Sequence, residues 1–184
     1  MKCLVTGGAG FIGSNLVDRL INEGHRVIVI DNESSDAHKK FYWNEKAKNY
    51  KLDICDYDDI YGLFEGVDVV FHLAAEARIQ PTIENPRLAV NSNVVGTFNI
   101  LEASRHQNVK RVVYSSTSSA YGLKNKPPLS EEMKKDCLNP YSVTKTCGEE
   151  MALMYASLYN LGTVVFRYFN VYGDRQPLKG QYAP

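Results

Sequence analysis

The stretch Thr6-Gly7-Gly8-Ala9-Gly10-Phe11-Ile12-Gly13 decides the fold. It follows directly on a short apolar run, Lys2–Thr6, which predicts a β-strand, and it leads into a helical pattern, Gly13–Glu23. The spacing Gly-x-x-Gly-x-x-Gly between a strand and a helix is typical of a loop that binds a dinucleotide. The first glycine allows a tight turn, the second lets the backbone approach a pyrophosphate, and the third lets the helix pack close to the sheet. Turns also collect glycine, so the prediction depends on this strand–helix context.

Short β-branched runs alternate with longer amphipathic segments along the whole chain. Several runs are almost entirely apolar, as strands covered on both faces are. The predicted strands are Lys2–Thr6, Arg26–Ile30, Asn49–Leu52, Asp68–Leu73, Arg111–Ser115 and Thr163–Tyr168. The predicted helices are Gly13–Glu23, Asp36–Lys46, Asp56–Phe64, Pro86–His106 and Tyr141–Asn160. This alternation predicts one α/β domain over residues 1–184, a Rossmann-like doubly wound parallel sheet with helices on both faces and the strand order 3-2-1-4-5-6.

Composition excludes several classes of protein. The 184 residues include 21 Lys and Arg and 21 Asp and Glu, and the resulting zero net charge argues against a general binder of nucleic acid or of anionic membranes. No apolar stretch approaches the roughly 20 residues of a membrane helix, and the N-terminus is too short before its glycines for a signal peptide. The four cysteines have no metal-ligand spacing, so we expect reduced thiols, no metal site and a cytoplasmic location.

Asp31 stands at the end of the second predicted strand, 18 residues after Gly13. Dinucleotide-binding folds place an acidic residue about 20 residues beyond their glycines. A carboxylate there can accept hydrogen bonds from both hydroxyls of an adenosine ribose, and it repels a 2′-phosphate. The alternative is an ordinary turn or helix-capping residue. Together with the glycines, Asp31 predicts that the coenzyme is NAD rather than NADP.

A second group of candidate residues opens the long C-terminal helix. Tyr141 and Lys145 are four residues apart, so they share one helical face at a separation of about 6 Å. The pKa of a phenol is ordinarily about 10, and a neighbouring ammonium together with a cationic nicotinamide ring would lower it towards neutral pH. A run of hydroxyl residues, 115–119, follows the fifth strand at the same edge of the sheet. Taken alone, the patterns also fit a core tyrosine with a surface lysine, and an ordinary turn.

Taken together, these motifs resemble the extended short-chain dehydrogenase/reductase family, in the nucleotide-sugar epimerase branch that UDP-glucose 4-epimerase typifies. The resemblance covers essentially the whole chain. Besides the glycine loop, the serine run and Tyr141…Lys145, the matching stretches are Ile30-Asp31-Asn32, Leu52-Asp53-Ile54, His72-Leu73-Ala74-Ala75, Asn93-Val94-Val95-Gly96-Thr97 and Arg167-Tyr168-Phe169-Asn170-Val171-Tyr172-Gly173. The combination is far more specific to the family than any single motif.

The resemblance implies roles for the matching residues. Tyr141 would be the catalytic base, Thr117 would stand in the family's Ser/Thr position, and Lys145 would hold the nicotinamide ribose. The residues implied to bind NAD are Gly7, Gly10, Phe11, Ile12, Gly13, Asp31, Asn32, Asp53, Ile54, Leu73, Ala74, Ala75, Asn93, Lys145 and Tyr168. Those implied to bind a nucleotide-diphosphate sugar are Ser118, Ser119 and Asn170. Arg78 and Gln80 fit a substrate contact and a solvated loop equally well.

The residues after Thr117 distinguish between reactions within the family. Sugar 4,6-dehydratases carry a Glu there, often after an Asp, because removing water needs an additional acid and base, and related decarboxylases usually keep the Glu. Ser118 and Ser119 occupy these positions here. The resemblance therefore implies an NAD-dependent nucleotide-sugar 4-epimerase of the UDP-glucose or UDP-N-acetylglucosamine type, an isomerase that oxidises sugar carbon 4 transiently. The alternatives are a non-catalytic NAD-binding or assembly module derived from such an enzyme, and a dehydratase or decarboxylase relative.

Family members continue well past the last predicted strand into a smaller domain that covers the substrate, whereas this sequence ends at Pro184. We therefore expect most of the substrate lid to be absent, and a second chain is one candidate to complete it. In the family, the pair of long helices that matches Pro86–His106 and Tyr141–Asn160 forms a four-helix dimer contact. The resemblance thus implies a homodimer, and packing within one monomer is the alternative.

Overall fold

A computed structural model describes residues 1–177 of the chain and contains a parallel sheet of six strands. The strands are β1 (Lys2–Thr6), β2 (Arg26–Ile30), β3 (Lys48–Tyr50), β4 (Val69–His72), β5 (Arg111–Thr117) and β6 (Gly162–Tyr168). Their order is β3-β2-β1-β4-β5-β6, and all five pairings are parallel. The predicted order is therefore confirmed. Because the order reverses between β1 and β4, a crevice opens at the carboxyl ends of these two strands.

Helices cover both faces of the sheet. They are α1 (Phe11–Asn22), α2 (Tyr57–Tyr61), α3 (Ile79–Glu84), α4 (Pro86–Ala89), α5 (Thr97–His106) and α6 (Pro140–Tyr159). Short 3-10 turns follow α2 and β5, and a π-helical segment, Val90–Gly96, joins α4 to α5, so the predicted helix Pro86–His106 consists of three segments. Among residues 1–177, no helix combines the length and apolarity that crossing a membrane requires.

The core lies on both faces because successive side chains of a strand point in opposite directions. On one face, Leu4 and Ile28 pack with apolar residues of α5 and α6. On the other face, Val5 and Val29 pack with residues of α1. The strands at the centre of the sheet are thus buried on both sides, as their nearly unbroken apolar sequences predict.

The predicted helix Asp36–Lys46 is wrong, because this segment forms turns and extended backbone. Its polar groups bond to distant residues rather than along a helix. The Tyr42 N–H donates to the carbonyl of Ala9 at 2.8 Å, and the Trp43 indole donates to the Glu33 carboxylate at 2.8 Å. Three consecutive aromatic residues have only modest helix propensity, so these contacts outweigh the local preference and fold the segment against the glycine loop.

Candidate active site

A cleft of about 570 Å³ opens at the carboxyl ends of the strands, within the size range of small-molecule sites. Most of the residues implied to bind coenzyme or substrate, or to catalyse, line it together. They are Gly7, Gly10, Phe11, Ile12, Gly13, Asp31, Asn32, Ile54, Leu73, Ala74, Ala75, Thr117, Ser118, Ser119, Tyr141, Lys145, Tyr168 and Asn170. Residues that are far apart in the sequence meet here because parallel strands end at one edge of the sheet.

The glycine loop turns sharply against the sheet. The φ angle of Gly7 is +67°, and a Cβ added to it would lie 2.8 Å from the backbone nitrogen of Ala74. A Cβ on Gly13 would lie 2.1 Å from the carbonyl oxygen of Gly7. The two glycines therefore allow the first turn of α1 to lie directly against the ends of β1 and β4.

The N-terminus of α1 faces the cleft, and its first backbone N–H groups receive no side-chain cap from the described residues. Within residues 1–177, no side chain caps the helix at Gly10, and its first turn contains no acidic residue. The first N–H groups of a helix have no partner within the helix, and Phe11, Ile12 and Gly13 line the cleft. This arrangement fits an anionic diphosphate, which the helix dipole also attracts.

Asp31 is held rigidly at the other side of the glycine loop. Its Oδ2 accepts a hydrogen bond from the Ala9 N–H at 3.0 Å, and its Oδ1 accepts one from the Glu33 N–H at 2.8 Å. Burial raises the pKa of this carboxyl, while the two N–H donors oppose the rise. Each oxygen keeps a further acceptor position, so the side chain fits the two hydroxyls of a ribose.

The N-terminus of α6 positions Tyr141. Asn139 and Ser142 form a reciprocal capping box, in which the Asn139 side chain accepts from the Ser142 N–H at 2.9 Å, and Pro140 occupies the first turn. Thr117, at the end of β5, hydrogen-bonds to the Tyr141 side chain. The Thr117 hydroxyl also accepts the Ser119 N–H at 3.1 Å, which fixes this hydroxyl at the mouth of the cleft.

The sequence predicts that the neighbouring Lys145 ammonium lowers the pKa of the Tyr141 phenol, but the structure differs. Burial raises the pKa of Tyr141, and the hydrogen bond from Thr117 only opposes this effect. Lys145 is 3% exposed, its Nζ lies 4.4 Å from the centre of the Tyr114 ring, and burial lowers its pKa to about 7. In the chain alone, Lys145 thus does not bring the Tyr141 phenol towards neutral pH, and a cationic ring bound in the cleft would have to supply that effect.

Sequence reasoning missed a buried polar layer beneath the cleft. His72 of β4 lies between Thr6, whose Oγ1 is 2.7 Å from Nδ1, and Thr97, whose Oγ1 is 2.9 Å from Nε2. Burial lowers the pKa of His72 to about 3, and the Lys145 charge acts in the same direction. The Tyr114 hydroxyl donates to the Lys145 carbonyl at 3.0 Å. These contacts tie β1, β4, β5, α5 and α6 together, but the sequence carries no local signal for them.

Two predicted site residues do not line the cleft. Asn93 is fully buried in the π-helical segment, where its side chain accepts from the Glu76 N–H at 2.8 Å and donates to Thr144 at 3.0 Å. Asp53 accepts from the Asn32 side chain at 2.9 Å. Both polar groups are therefore engaged with neighbours that line or support the cleft, and their direct contact with a coenzyme stays a prediction.

Several cleft residues were not predicted. His38 and Phe41 reach the cleft from the segment that was wrongly expected to be helical, and Ser92 reaches it from the π-helical segment. Arg78 and Gln80, for which two interpretations were open, both line the cleft, and Arg78 forms an ion pair with Asp36.

The chain after β6 crosses to α1. Asn15 donates to the carbonyl of Asp174 at 2.9 Å, and Arg175 pairs with Asp18 at 2.5 Å. The Arg175 guanidinium also lies 5.0 Å from the centre of the Tyr42 ring. These contacts anchor the end of the described chain to the helix that faces the cleft.

Related proteins share this fold and sequence over most of the chain. Protein CapI of Staphylococcus aureus is 42% identical over 183 residues, which are 94% of this chain and 55% of that protein. A putative UDP-glucose 4-epimerase of Methanocaldococcus jannaschii is 41% identical over 180 residues, covering 97% of this chain and 58% of that protein. A UDP-N-acetyl-alpha-D-glucosaminuronate decarboxylase of Bacillus cytotoxicus is 38% identical over 191 residues, covering 99% of this chain and 58% of that protein.

Solved structures give the same result. The UDP-glucose 4-epimerase of Thermotoga maritima, solved with UDP-glucose, superimposes with a TM-score of 0.92 at 38% identity, over 98% of this chain and 59% of that one. The UDP-glucose 4-epimerase of Thermus thermophilus, solved with NAD, superimposes with a TM-score of 0.90 at 34% identity, over 98% of this chain and 59% of that one. The chain thus spans somewhat more than half the length of these relatives.

The glycine loop, the acidic residue after β2 and the Tyr141–Lys145 pair meet in one cleft of a doubly wound sheet. The model of the NAD dependent epimerase/dehydratase family matches residues 3–183, so it covers all of these motifs. The chain belongs to the NAD dependent epimerase/dehydratase family.

Proposed function

We propose that this chain binds NAD and acts on a UDP-sugar as a 4-epimerase. The observation that carries the proposal is that Thr117, Tyr141 and Lys145 line the same cleft as the N-terminus of α1 and Asp31. A dinucleotide held at the glycine loop and a group that moves a proton would therefore act on one substrate. The relatives named as UDP-glucose 4-epimerases support the choice of substrate class.

The coenzyme would be held by the chain's own backbone and one carboxylate. The N–H groups of the first turn of α1 would bind the diphosphate, and Asp31 would accept hydrogen bonds from the adenosine ribose. When bound, NAD would supply the hydride acceptor and donor at carbon 4 of the sugar. Asp31 would exclude a 2′-phosphate by charge repulsion, which favours NAD over NADP.

The side chains at the other end of the cleft would manage the proton. The Tyr141 oxygen would take the proton of the sugar 4-hydroxyl, and Thr117 would orient both oxygens by hydrogen bonding. A cationic nicotinamide ring bound in the cleft would favour the phenolate, and Lys145 would hold the nicotinamide ribose. Because burial raises the pKa of Tyr141 in the chain alone, the base would become active only when the coenzyme occupies the cleft.

Ser118 and Ser119 support epimerisation over elimination. Both line the cleft directly after Thr117, and a neutral hydroxyl is too weak an acid and base to remove water from a sugar. A decarboxylase stands among the relatives of similar identity, so this assignment depends on the two serines rather than on overall similarity.

The test has two stages. NAD binding to the 184-residue chain is measured first by calorimetry, and the chain is then incubated with NAD and UDP-glucose or UDP-N-acetylglucosamine while NMR follows the sugar. We expect formation of the 4-epimer, a turnover that falls by about two or more orders of magnitude in Tyr141→Phe, and normal turnover in the control Tyr159→Phe on the outer part of α6. NAD binding without any epimer would refute the enzyme and favour the non-catalytic module.

We also propose that the chain forms a homodimer through α5 and α6. Exposed apolar side chains on α4, the π-helical segment, α5 and α6 support this proposal. They are Leu88, Val95, Phe98, Leu153 and Leu158. Exposed apolar groups of this size on adjacent helices are typical of an interface. Light scattering should give twice the monomer mass, and Leu153→Glu should reduce it to one chain. A second, different chain that completes the substrate lid, and a cytoplasmic location, remain predictions from the sequence.

A further inference from the structure

A buried carboxylate, Glu149, lies one helical turn after Lys145 on α6 and has no part in the proposed chemistry. It is 2% exposed, although charged side chains are almost never buried unless they are paired. Residues four apart share one face of a helix, so Glu149 and Lys145 both face the sheet. A buried charge of this kind requires an explanation.

Four donors satisfy this carboxylate. Oε1 accepts from the Ser116 hydroxyl at 2.5 Å and from Nε of Arg167 at 3.0 Å. Oε2 accepts from Nη2 of Arg167 at 2.9 Å and pairs with Nζ of Lys135 at 2.9 Å. Two oxygens offer about four acceptor positions, so Glu149 is fully engaged, and the two-point contact with Arg167 is the most directional geometry that an ion pair has.

Two of the three residues that supply these donors, Ser116 and Arg167, lie at strand ends that border the cleft. Ser116 precedes Thr117 on β5, and Arg167 precedes Tyr168 on β6. The two strands are paired with Ser116 opposite Arg167 and Thr117 opposite Tyr168. One carboxylate on α6 therefore fixes both strand ends relative to the helix that carries Tyr141 and Lys145.

Glu149 also differs in charge from the other ionisable groups around Lys145. The Lys145 Nζ lies over the ring of Tyr114 of β5, and Tyr141 lies one turn earlier on α6. His72 of β4 is also near enough for the Lys145 charge to lower its pKa. Burial raises the pKa of both tyrosines and lowers that of His72 to about 3, so all three are uncharged at neutral pH. Arg167 of β6 and Lys135 are cations that contact Glu149 itself.

We propose that Glu149 is a positioning residue of this cleft, which holds the strand ends that carry Thr117 and Tyr168 and supplies the negative charge that faces Lys145. The proposal rests on the proposed function only for the use that the enzyme makes of Lys145. The positioning itself is a property of the chain without coenzyme or substrate. It can therefore be tested separately from activity.

The experiment is an NMR titration of the Lys145 side chain in the 184-residue protein without NAD, with Lys145→Arg used to assign the resonance. Burial lowers the pKa of Lys145 to about 7, and the Glu149 charge opposes this effect. In Glu149→Gln we expect the pKa of Lys145 to fall by about 1, because a nearby opposite charge has been removed. Loosening or hydration of the site would change the pKa in the opposite direction, towards the ordinary value of lysine, so the sign separates the two causes.

Glu150→Gln is the matched control. Glu150 is the next residue on α6 and pairs with the same Lys135 at 2.6 Å, but its side chain is 68% exposed. We expect it to leave the pKa of Lys145 unchanged. An equal shift in both variants, no shift in Glu149→Gln, or a rise would each overturn the proposal.

Glu149→Gln removes the ion-pair partner of the Arg167 guanidinium, whose side chain is only 14% exposed, and this loss is costly enough to endanger folding. The double variant Glu149→Gln/Arg167→Gln removes the pair as a whole and should also show a downward shift, which is smaller because a cation is lost together with the carboxylate. If either variant shows the shift while the wild-type chain converts no UDP-sugar, the proposed function fails and the positioning role stands. If the chain is an active epimerase but neither variant shows the shift, the positioning role fails alone.

Discussion

The glycine loop makes a quantitative prediction, because the effect of a methyl group can be read from the structure at four different glycines. Gly7 has a φ of +67° and no room for a Cβ, which would lie 2.8 Å from one backbone atom of Ala74 and 2.9 Å from another. The left-handed backbone costs an alanine about 1–2 kcal/mol, and forcing a methyl group into packed backbone costs about 1–3 kcal/mol. Gly7→Ala should therefore lower the free energy of unfolding by about 2–5 kcal/mol.

Three further glycines separate these two contributions. Gly24 has a φ of +79° and, among residues 1–177, no atom within 4 Å of the added methyl, so Gly24→Ala should show only the backbone cost of about 1–2 kcal/mol. A methyl on Gly13 would meet the Gly7 carbonyl at 2.1 Å without a positive φ, and Gly13→Ala should show only the cost of the contact. Gly62 has a φ of −64° and open space, so Gly62→Ala should be neutral or stabilise by up to about 1 kcal/mol.

Urea unfolding followed by circular dichroism gives the four free energies under one set of conditions. We expect Gly7→Ala and Gly13→Ala to destabilise the chain most, Gly24→Ala less and Gly62→Ala least. If Gly7→Ala cost no more than Gly24→Ala, the close approach of the loop to β4 would be refuted. NAD affinity, measured on the variants that stay folded, should fall for Gly7→Ala and Gly13→Ala but not for Gly24→Ala, which lies at the far end of α1.

Three other perturbations follow from single side chains. Burial lowers the pKa of His72 from 6.5 to about 3, so between these values the unfolded chain binds a proton that the folded chain does not. The free energy of unfolding should therefore fall as the pH drops through this window, by up to about 1.4 kcal/mol per pH unit. Urea unfolding from about pH 7 to about pH 4 should give a shallower decline for His72→Gln, and parallel curves would contradict the argument. Asp31→Ser removes the charge that repels a 2′-phosphate, so calorimetry should show a higher ratio of NADP to NAD affinity; an unchanged ratio would mean that Asp31 does not face the ribose. Arg175→Ala removes the ion pair with Asp18. Because the pair is partly exposed, we expect the free energy of unfolding to fall by less than about 1 kcal/mol, but the amides of residues 173–176 should exchange faster. Unchanged exchange would show that other contacts hold the segment.

The sequence predicted the sheet well because the decisive signals are local. The buried strands β1 and β2 are nearly all apolar, the glycine loop has a fixed spacing, and alternation of strand and helix leaves few topologies open. The segment around Tyr42 and Trp43 failed for the opposite reason. Its conformation is set by hydrogen bonds to Ala9 and Glu33, and the hydrophobic pattern of the segment contains no information about these partners.

In the candidate site, too, features with a local sequence signal were predicted and features set by distant partners were not. Residues that belong to a motif, such as Asp31, could be found from spacing alone, whereas residues that support the motif could not. Glu149 bonds to Ser116, 33 residues away, and to Arg167, 18 residues away. On a helix whose apolar pattern predicts core, a buried Lys145 followed four residues later by a buried Glu149 is a visible anomaly. Burying two charges on one helical face is costly unless tertiary partners satisfy them. An i, i+4 pair of opposite charges on the inner face of a helix therefore predicts a polar network behind a functional cleft, even when its partners cannot be identified from the sequence.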